Sequence, residues 1–356
     1  MEAVVLVGGQ GTRLQPLTLR TPKPMLPFAG APFLSHLVQR LRVAGVEHLV
    51  LATSYRPEVF HEFFGTGRDF GMRIDFVTET EPLGTGGGIR NVVRRLDSGP
   101  DDPVLVLNGD VLSGHDIRAQ LEMHRRREAA VTLHLVEVED ARAFGCVPTD
   151  SHARVTGFIE KSESPVTNRI NAGCYVFTRK VIETIPDGRV VSVERETFPE
   201  LLEAGEMLLG YIDTSYWLDV GTPAAFAKGS ADIVTGVLDS PALIAPPGEA
   251  LLEEDAVVHA GAVVNGGSVV GPRTTVDAGA QVTRSVIADG VHIAAGATVF
   301  NSLVGRRAKI GQRTVVANAV IGEGASIGAD NELTSGIRVW NDAVIADGAM
   351  RFSPLP

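Results

Sequence analysis

Gly8-Gly9-Gln10-Gly11-Thr12-Arg13-Leu14 follows the apolar run Val4-Val5-Leu6-Val7 and precedes Pro22-Lys23-Pro24. Glycines let a chain turn sharply out of a strand and bring backbone N–H groups close to an anion, where a Cβ would intrude. Arg13 adds a planar fork of donors, and Lys23 adds a point charge on backbone fixed by its two flanking prolines. Together they suit a ligand with several phosphates. Two other phosphate-binding loops are excluded. A dinucleotide fingerprint needs a third glycine where Leu14 stands, and a Walker A loop needs a Gly-Lys-Ser/Thr that is absent here. Two carboxylates end apolar runs in similar fashion, Asp110 in Asn108-Gly109-Asp110 and Asp219 in Trp217-Leu218-Asp219. Each reads either as a metal ligand or as an ordinary turn carboxylate.

The elements that must position these residues alternate in type. Val4–Val7, Leu49–Leu51, Ile74–Val77 and Val104–Leu107 read as buried strands, whereas Phe33–Val43, Pro57–Phe64 and Ile89–Leu96 have helical spacing. Such alternation predicts an α/β fold, a Rossmann-like and mostly parallel sheet covered on both faces. Ligands of these sheets gather beyond the carboxyl ends of the strands, so Gly8–Arg13 and Asp110 are expected to share a cleft.

Beyond Asp239-Ser240-Pro241 the period changes. Aliphatic residues recur every six positions at Val258, Val264, Val270, Val276 and Val282, and the spacing continues through Ile287, Ile293, Val299, Val304, Ile310, Val316, Ile321, Ile327, Leu333, Val339 and Ile345, with three steps shortened to five. Ser285–Asn301, Ser302–Asn318 and Ala319–Ser335 become successive 17-residue units. One inward aliphatic per flat side and small residues at the corners predict a β-helix; a sandwich would show period-2 alternation. The expected organisation is a nucleotide-handling domain at 1–237, a linker at 238–252 and a β-helix at 253–356.

Bulk properties narrow the partners. A chain of 356 residues exceeds the size at which one core keeps growing, in line with two domains. A net charge of −11 argues against nucleic acid or an anionic membrane as main partner. No apolar stretch approaches the roughly 18 residues of a membrane span, and the start of the chain, Glu2 running straight into a strand, does not read as a secretory leader. Cys146 and Cys174 are too few for a disulfide framework and read as buried reduced thiols, so the expected location is the cytoplasm.

The glycine-rich segment resembles the signature of sugar-nucleotide pyrophosphorylases. Further stretches narrow the likeness to the mannose-1-phosphate guanylyltransferase family: Pro22-Lys23-Pro24-Met25, Glu81-Pro82-Leu83-Gly84-Thr85-Gly86, Asn108-Gly109-Asp110, Glu160-Lys161, Ile170-Asn171-Ala172-Gly173, Val193–Pro199 and Trp217–Pro223. They occur in the family's order across most of the first 225 residues. The resemblance implies transfer of GMP from GTP to α-D-mannose 1-phosphate, giving GDP-mannose and pyrophosphate. It also implies a hexapeptide left-handed β-helix at the carboxyl end.

Such a reaction brings two anions together, so its catalyst must hold like charges in line and stabilise the charge that develops on phosphorus and the leaving group. By the resemblance, Asp110 and Asp219 hold Mg²⁺, and Arg13 and Lys23 grip the triphosphate and the departing pyrophosphate. The implied nucleotide site comprises Leu6, Gly8, Gly9, Gly11, Thr12, Arg13, Lys23, Glu79, Pro82, Gly84, Thr85 and Asp110. Gly145, Glu160, Lys161 and Asn171 form the sugar-phosphate side, with Lys161 on the phosphate and Glu160 on sugar hydroxyls. Guanine offers two adjacent donors that one carboxylate can accept together. Glu79 occupies the place where related thymidylyl and uridylyl enzymes carry Gln, and the neighbouring Glu81 is the alternative reader. Another sugar 1-phosphate with UTP, dTTP or ATP, or a non-catalytic sensor of the same fold, remain the competing readings. A sensor would not need the whole set Arg13, Lys23, Asp110, Lys161 and Asp219.

Some relatives use the β-helix for acyl transfer with a histidine base. Here His259 precedes the regular small corner residues and His292 faces outward by its period. The expected role of the repeat is therefore homo-oligomer formation, through its flat faces and the terminal Met350 and Phe352.

Overall fold

The computed structural model describes residues 1–351 apart from Glu160, Ser162, Ile244 and Pro246. Its contacts divide the chain into two compact units: Met1–Gly9 with Arg40–Trp217, and Gln10–Gln39 with Leu218–Pro356. The first division falls inside the glycine-rich loop.

The first unit is built on a seven-stranded sheet. From edge to edge its strands are Leu208–Asp213, Val131–Glu137, Arg169–Thr178, Pro103–Asn108, Glu2–Leu6, His48–Thr53 and Arg73–Thr78. All neighbours are parallel except Arg169–Thr178, which runs antiparallel to both of its partners. Val4, Val5, Val50, Leu51, Val104 and Val106 are fully buried, as a sheet covered on both faces requires. From Glu2–Leu6 the chain winds outward through two parallel neighbours, then returns to add Pro103–Asn108 on the opposite side. That reversal opens a crevice beyond the carboxyl ends of these two strands.

Two of the three helices expected here, Phe33–Ala44 and Pro57–Phe64, form within a residue of their spacing. The third begins earlier than periodicity indicates. It runs Gly84–Asn91, straight through Gly86-Gly87-Gly88, and a separate 3-10 turn covers Val93–Arg95. Glycine costs about 1 kcal/mol against alanine in a helix, so propensity alone places the start later. Tertiary approach overrides it, since a Cβ on Gly86 would lie 2.8 Å from the Val191 side chain and one on Gly87 2.5 Å from the Arg189 carbonyl.

In the second unit three parallel sheets stack coil on coil, six, six and five strands deep. Register confirms the repeat: Val269 pairs with Val286, Val286 with Leu303 and Leu303 with Val320, each one 17-residue turn onward. This is a three-sided parallel β-helix. The sixth-position aliphatics from Val270 to Val339 form one buried cluster, with Val258, Val264 and Ile345 packed on it. Where a step shortens to five, Arg284, Asn301 and Asn318 take positive φ, as does Ser335 one turn later, which marks the tight corner. Ala250–Leu252 is the first strand of one sheet.

The second unit also contains residues 10–39. Three short 3-10 turns, Thr12–Leu14, Leu17–Leu19 and Lys23–Met25, lead to a small hairpin of Pro27–Phe28 with Ala31–Pro32. Phe28 meets Phe33 and Phe226 edge to face, and the Ala29 N–H donates to Ser230 Oγ at 3.0 Å. Both cysteines are buried and free.

Candidate active site

In the first unit, Leu6 pairs with Asn108 across parallel strands, so the loop at Gly8 and the turn at Asp110 leave the sheet side by side. The Gly109 N–H donates to the Leu6 carbonyl at 2.9 Å. A Cβ on Gly109 would meet that carbonyl oxygen at 2.7 Å and Val7 at 2.6 Å, so only glycine fits. Gly8 and Gly9 are exposed, and Gly9 N–H donates to Ser54 Oγ at 3.3 Å. Asn108 Oδ1, at the end of this strand, is buried without a hydrogen-bond partner, and the Asn108 side chain lies against Gly173.

The Gly84-Thr85 turn is anchored from a distant segment. Thr85 Oγ1 donates to Glu194 Oε2 at 2.9 Å and accepts from the Val193 N–H at 2.9 Å. Glu194 Oε1 accepts from the Tyr175 hydroxyl at 3.4 Å, which in turn accepts from Asn171 Nδ2 at 2.7 Å. Asn171 Oδ1 then accepts from the Gly173 N–H at 3.0 Å. A continuous relay therefore joins the Gly84-Thr85 turn to Asn171. Tyr175 is fully buried, and burial raises its phenol well above the ordinary range, so the hydroxyl stays a donor. Glu194 and Tyr175 escaped the residue-by-residue reading; the motif Val193–Pro199 was the only signal for the first, and nothing local marks the second.

Glu79 lies beside the same turn. Its Oε2 accepts from the Leu83 N–H at 3.3 Å, and Oε1 lies 2.8 Å from where a Cβ on Gly88 would stand. Burial raises its carboxyl above the usual range, while the Leu83 N–H pulls the other way. The carboxylate thus closes the loop at the start of the helix. Glu81, the alternative reader, is exposed, as is Pro82.

The residues expected on the sugar side are gathered by Cys146, which bridges antiparallel to both Ile159 and Ile170. Gly145, Lys161 and Asn171 flank these three positions, so segments far apart in sequence converge. Lys161 is exposed. Trp217 borders them: its Nε1 donates to the Ala172 carbonyl at 3.0 Å, and its ring meets Phe144 edge to face. Glu160 lies outside the described residues.

The second unit carries the cations and the second carboxylate. Gly11, in the left-handed region with φ 58°, turns the chain into Thr12–Leu14. Thr18 Oγ1 donates to the Gly11 carbonyl at 2.9 Å, and Lys23, 7% exposed between its prolines, packs against Gly11. The exposed Arg13 lays its guanidinium on Gly221, where a Cβ would stand 2.4 Å from Nη2. Gly221 is two residues past Asp219, the end of the strand Trp217–Asp219. Arg13 and Asp219 are thereby brought into one neighbourhood.

One other cluster could hold an ion by its composition. Among the described residues, Glu2, His48 and Asp97 offer ligand atoms close enough to share one. They lie at the amino end of the sheet, opposite the glycine loop. His48 is already placed between Glu2 and Asp75, and Arg73 pairs with Asp75 and Asp97 at 2.9 and 2.8 Å. Three carboxylates thus share one imidazole and one guanidinium, which already engage them.

Residues 2–236 match the nucleotidyl transferase family and residues 247–347 the GMPPB C-terminal domain. A mannose-1-phosphate guanylyltransferase of Mycobacterium tuberculosis is 55% identical over 354 residues, covering 99% of this chain and 98% of the relative. Mannose-1-phosphate guanylyltransferase 1 of Arabidopsis thaliana is 34% identical over 303 residues, covering 82% of each chain. Among solved structures, HddC from Yersinia pseudotuberculosis complexed with GMP-PN superposes with a TM-score of 0.56 at 28% identity, covering 65% of this chain and 99% of that one.

Proposed function

This chain belongs to the nucleotidyl transferase family, and from that premise we propose that it transfers the GMP group of GTP to α-D-mannose 1-phosphate. A phosphate oxygen of the sugar attacks the α-phosphorus, the bond to the β-phosphate breaks, and GDP-mannose and pyrophosphate result. The observation that carries this reading is the adjacency of the glycine loop and the Asp110 turn at the reversal point of the sheet, in a chain 55% identical end to end to a guanylyltransferase.

Each group has a role derived from its chemistry. The loop N–H groups after Gly8 and the two cations Arg13 and Lys23 take the triphosphate, and the same cations neutralise pyrophosphate as it leaves. Lys161 draws in the sugar phosphate, Gly145 and Asn171 contact the sugar, and Glu160 accepts from its hydroxyls. Glu79 takes the guanine edge. Asp110 and Asp219 would hold Mg²⁺, since carboxylate oxygens are the hard donors this ion prefers. When bound, the ion supplies charge stabilisation to phosphate oxygens.

Two further assignments follow. The β-helix exposes Val257, Val263, Phe300, Trp340 and Val344, which suits contact with a second copy and a homo-oligomer. Nucleotide substrates and free thiols suit the cytoplasm. No helix among the described residues is long and apolar enough to cross a membrane.

Pyrophosphate release over a matrix of ATP, CTP, GTP, dTTP and UTP against several sugar 1-phosphates tests the reading. Strong preference for GTP with mannose 1-phosphate is the expected result. Turnover with a different pair would reassign the substrates, and no turnover with any pair would overturn the enzymatic role.

A further inference from the structure

The catalytic turn Thr12–Leu14 sits in the same compact unit as the β-helix, and one β-helix side chain holds its backbone. Arg338, on the strand Arg338–Val339, donates from Nη2 to the Arg13 carbonyl at 2.8 Å, and from Nη1 to the carbonyls of Gln15 at 3.2 Å and Thr12 at 3.3 Å. A short helical turn ends with carbonyls that can accept further bonds, and a guanidinium fork reaches several at once; of the three here, Thr12 also accepts from the Gln15 N–H at 3.2 Å. Its neighbours extend the grip. Arg20 pairs with Asp342 at 2.6 Å, Asn341 Nδ2 reaches the Pro16 carbonyl at 3.5 Å, and Leu17 packs on the bare Gly305. Asn341 is itself fixed, because its Oδ1 accepts from the Glu323 N–H at 2.8 Å.

We propose that Arg338 is a positioning residue for the transfer reaction: the last turns of the β-helix clasp residues 12–20 and thereby fix where the Arg13 guanidinium stands over Gly221. The inference rests on the functional reading above and deepens it by giving the repeat a part in turnover. Chain order supports the clasp. Arg13 lies on an exposed turn that follows three glycines, and its own segment ties down the Gly11 and Thr12 carbonyls but not those of Arg13 and Gln15. Three of the segment's carbonyls are held by a residue more than 300 positions away. A shift of about 1 Å in a positioned group costs on the order of a hundredfold in rate. A rigid coil is the kind of support such a group needs.

The test uses the full chain with Arg338→Ala and Arg338→Lys. Arg313→Ala serves as control, since it removes a β-helix ion pair with Asp330 of the same chemistry. Forward kcat, KM for both substrates, KM for pyrophosphate in the reverse direction, Tm and hydrogen exchange of residues 10–23 are measured on each. Arg338→Ala is expected to lower kcat about ten- to a hundredfold and to raise the KM for pyrophosphate. It should leave the KM for mannose 1-phosphate and the Tm near wild type. Arg338→Lys, one donor group where a fork stood, should fall between, and Arg313→Ala should match wild type. Leu14 and Gln15 amides should exchange faster in Arg338→Ala. Unchanged kcat and pyrophosphate KM, or an equal loss in Arg313→Ala, would overturn the proposal. The exchange measurement needs no turnover: unaltered exchange tells against the clasp, whereas a wild-type chain inert with every nucleotide tells against the functional reading.

Discussion

The sheet unit and the β-helix unit are both stacks of mainly parallel strands, yet they treat polar side chains in opposite ways. In the β-helix a ladder of serines and asparagines is taken up from coil to coil. The Ser285 N–H donates to Ser268 Oγ, Ser302 N–H to Ser285 Oγ and Ala319 N–H to Ser302 Oγ, while Asn301 Nδ2 donates to Asn318 Oδ1 at 2.7 Å. In the sheet unit, strands end in open loops, and Asn108 Oδ1 is buried without a partner at such an end. A repeat that satisfies itself makes a stiff bracket with little left for a ligand. A sheet whose carboxyl ends are under-used makes a receptor.

The sharpest way to break this contrast is to make the same substitution in both regions. On the proposed metal assignment, Asp110→Asn and Asp219→Asn should each cost at least about a hundredfold in kcat, since each would delete an anionic ligand where phosphate charges gather. The double variant should be little worse than either single one, because a shared ion is lost only once. Asp277→Asn, which alters a carboxylate bonded to His292 at 2.8 Å on the β-helix, should leave turnover intact. Equal losses in all three variants, or near-normal activity of Asp110→Asn in saturating Mg²⁺, would dissolve the distinction.

A smaller but cleaner effect is expected at Gly221. Its backbone does not need positive φ, so alanine is conformationally allowed, but the new methyl would stand 2.4 Å from Arg13 Nη2. The guanidinium must move while the fold remains. Gly221→Ala should lower kcat about ten- to a hundredfold with a nearly unchanged Tm. Wild-type kinetics would mean that Arg13 does not act from where it lies.

How far these features were legible depends on whether their signal is local. The β-helix was readable almost residue by residue, because a six-residue period forces each aliphatic from Val270 to Val339 inward. Gly8, Asp110 and their adjacency were readable because strand ends carry glycine and aspartate in recognisable runs. The helix at Gly84 was misplaced because its glycines answer to Val191 and Arg189, not to helical propensity. The relay through Thr85, Glu194, Tyr175 and Asn171, and the clasp by Arg338, had no local signature. Each joins single side chains from distant segments, which only the folded chain brings together.

Base choice gives a finer test within the receptor half. Glu79→Gln replaces an acceptor by a group that also donates, so GTP should lose about 1–3 kcal/mol of preference over UTP or dTTP. The same side chain closes the loop through the Leu83 N–H, a bond that glutamine can keep through its Oε1. Equal loss for all nucleotides would show that Glu79 shapes the turn and does not read the base.

The smallest effect is expected at the other end of the sheet, in stability and not in turnover. Burial opposes the charge on Glu2, but hydrogen bonds from His48, Ser98 and Asp97 prevail and hold its carboxyl at about 2. His48 is likewise opposed by burial, yet Glu2 and Asp75 raise it above its ordinary value. A lowered carboxyl contributes stability that is present above its unfolded value of 4.5 and fades as pH falls toward 2. A raised imidazole contributes stability that is complete below 6.5 and is lost as pH rises through its folded value. The two contributions overlap between those unfolded values. The Tm gap between wild type and His48→Gln should therefore be widest near pH ~5.5 and narrow toward pH ~8.5. Turnover per folded molecule should not change, because the cluster lies at the amino end of the strands whose carboxyl ends carry Gly8 and Asp110. A gap that widens with rising pH would mean that His48 is neutral in the fold. A fall in turnover would mean that the amino end of the sheet is coupled to the site.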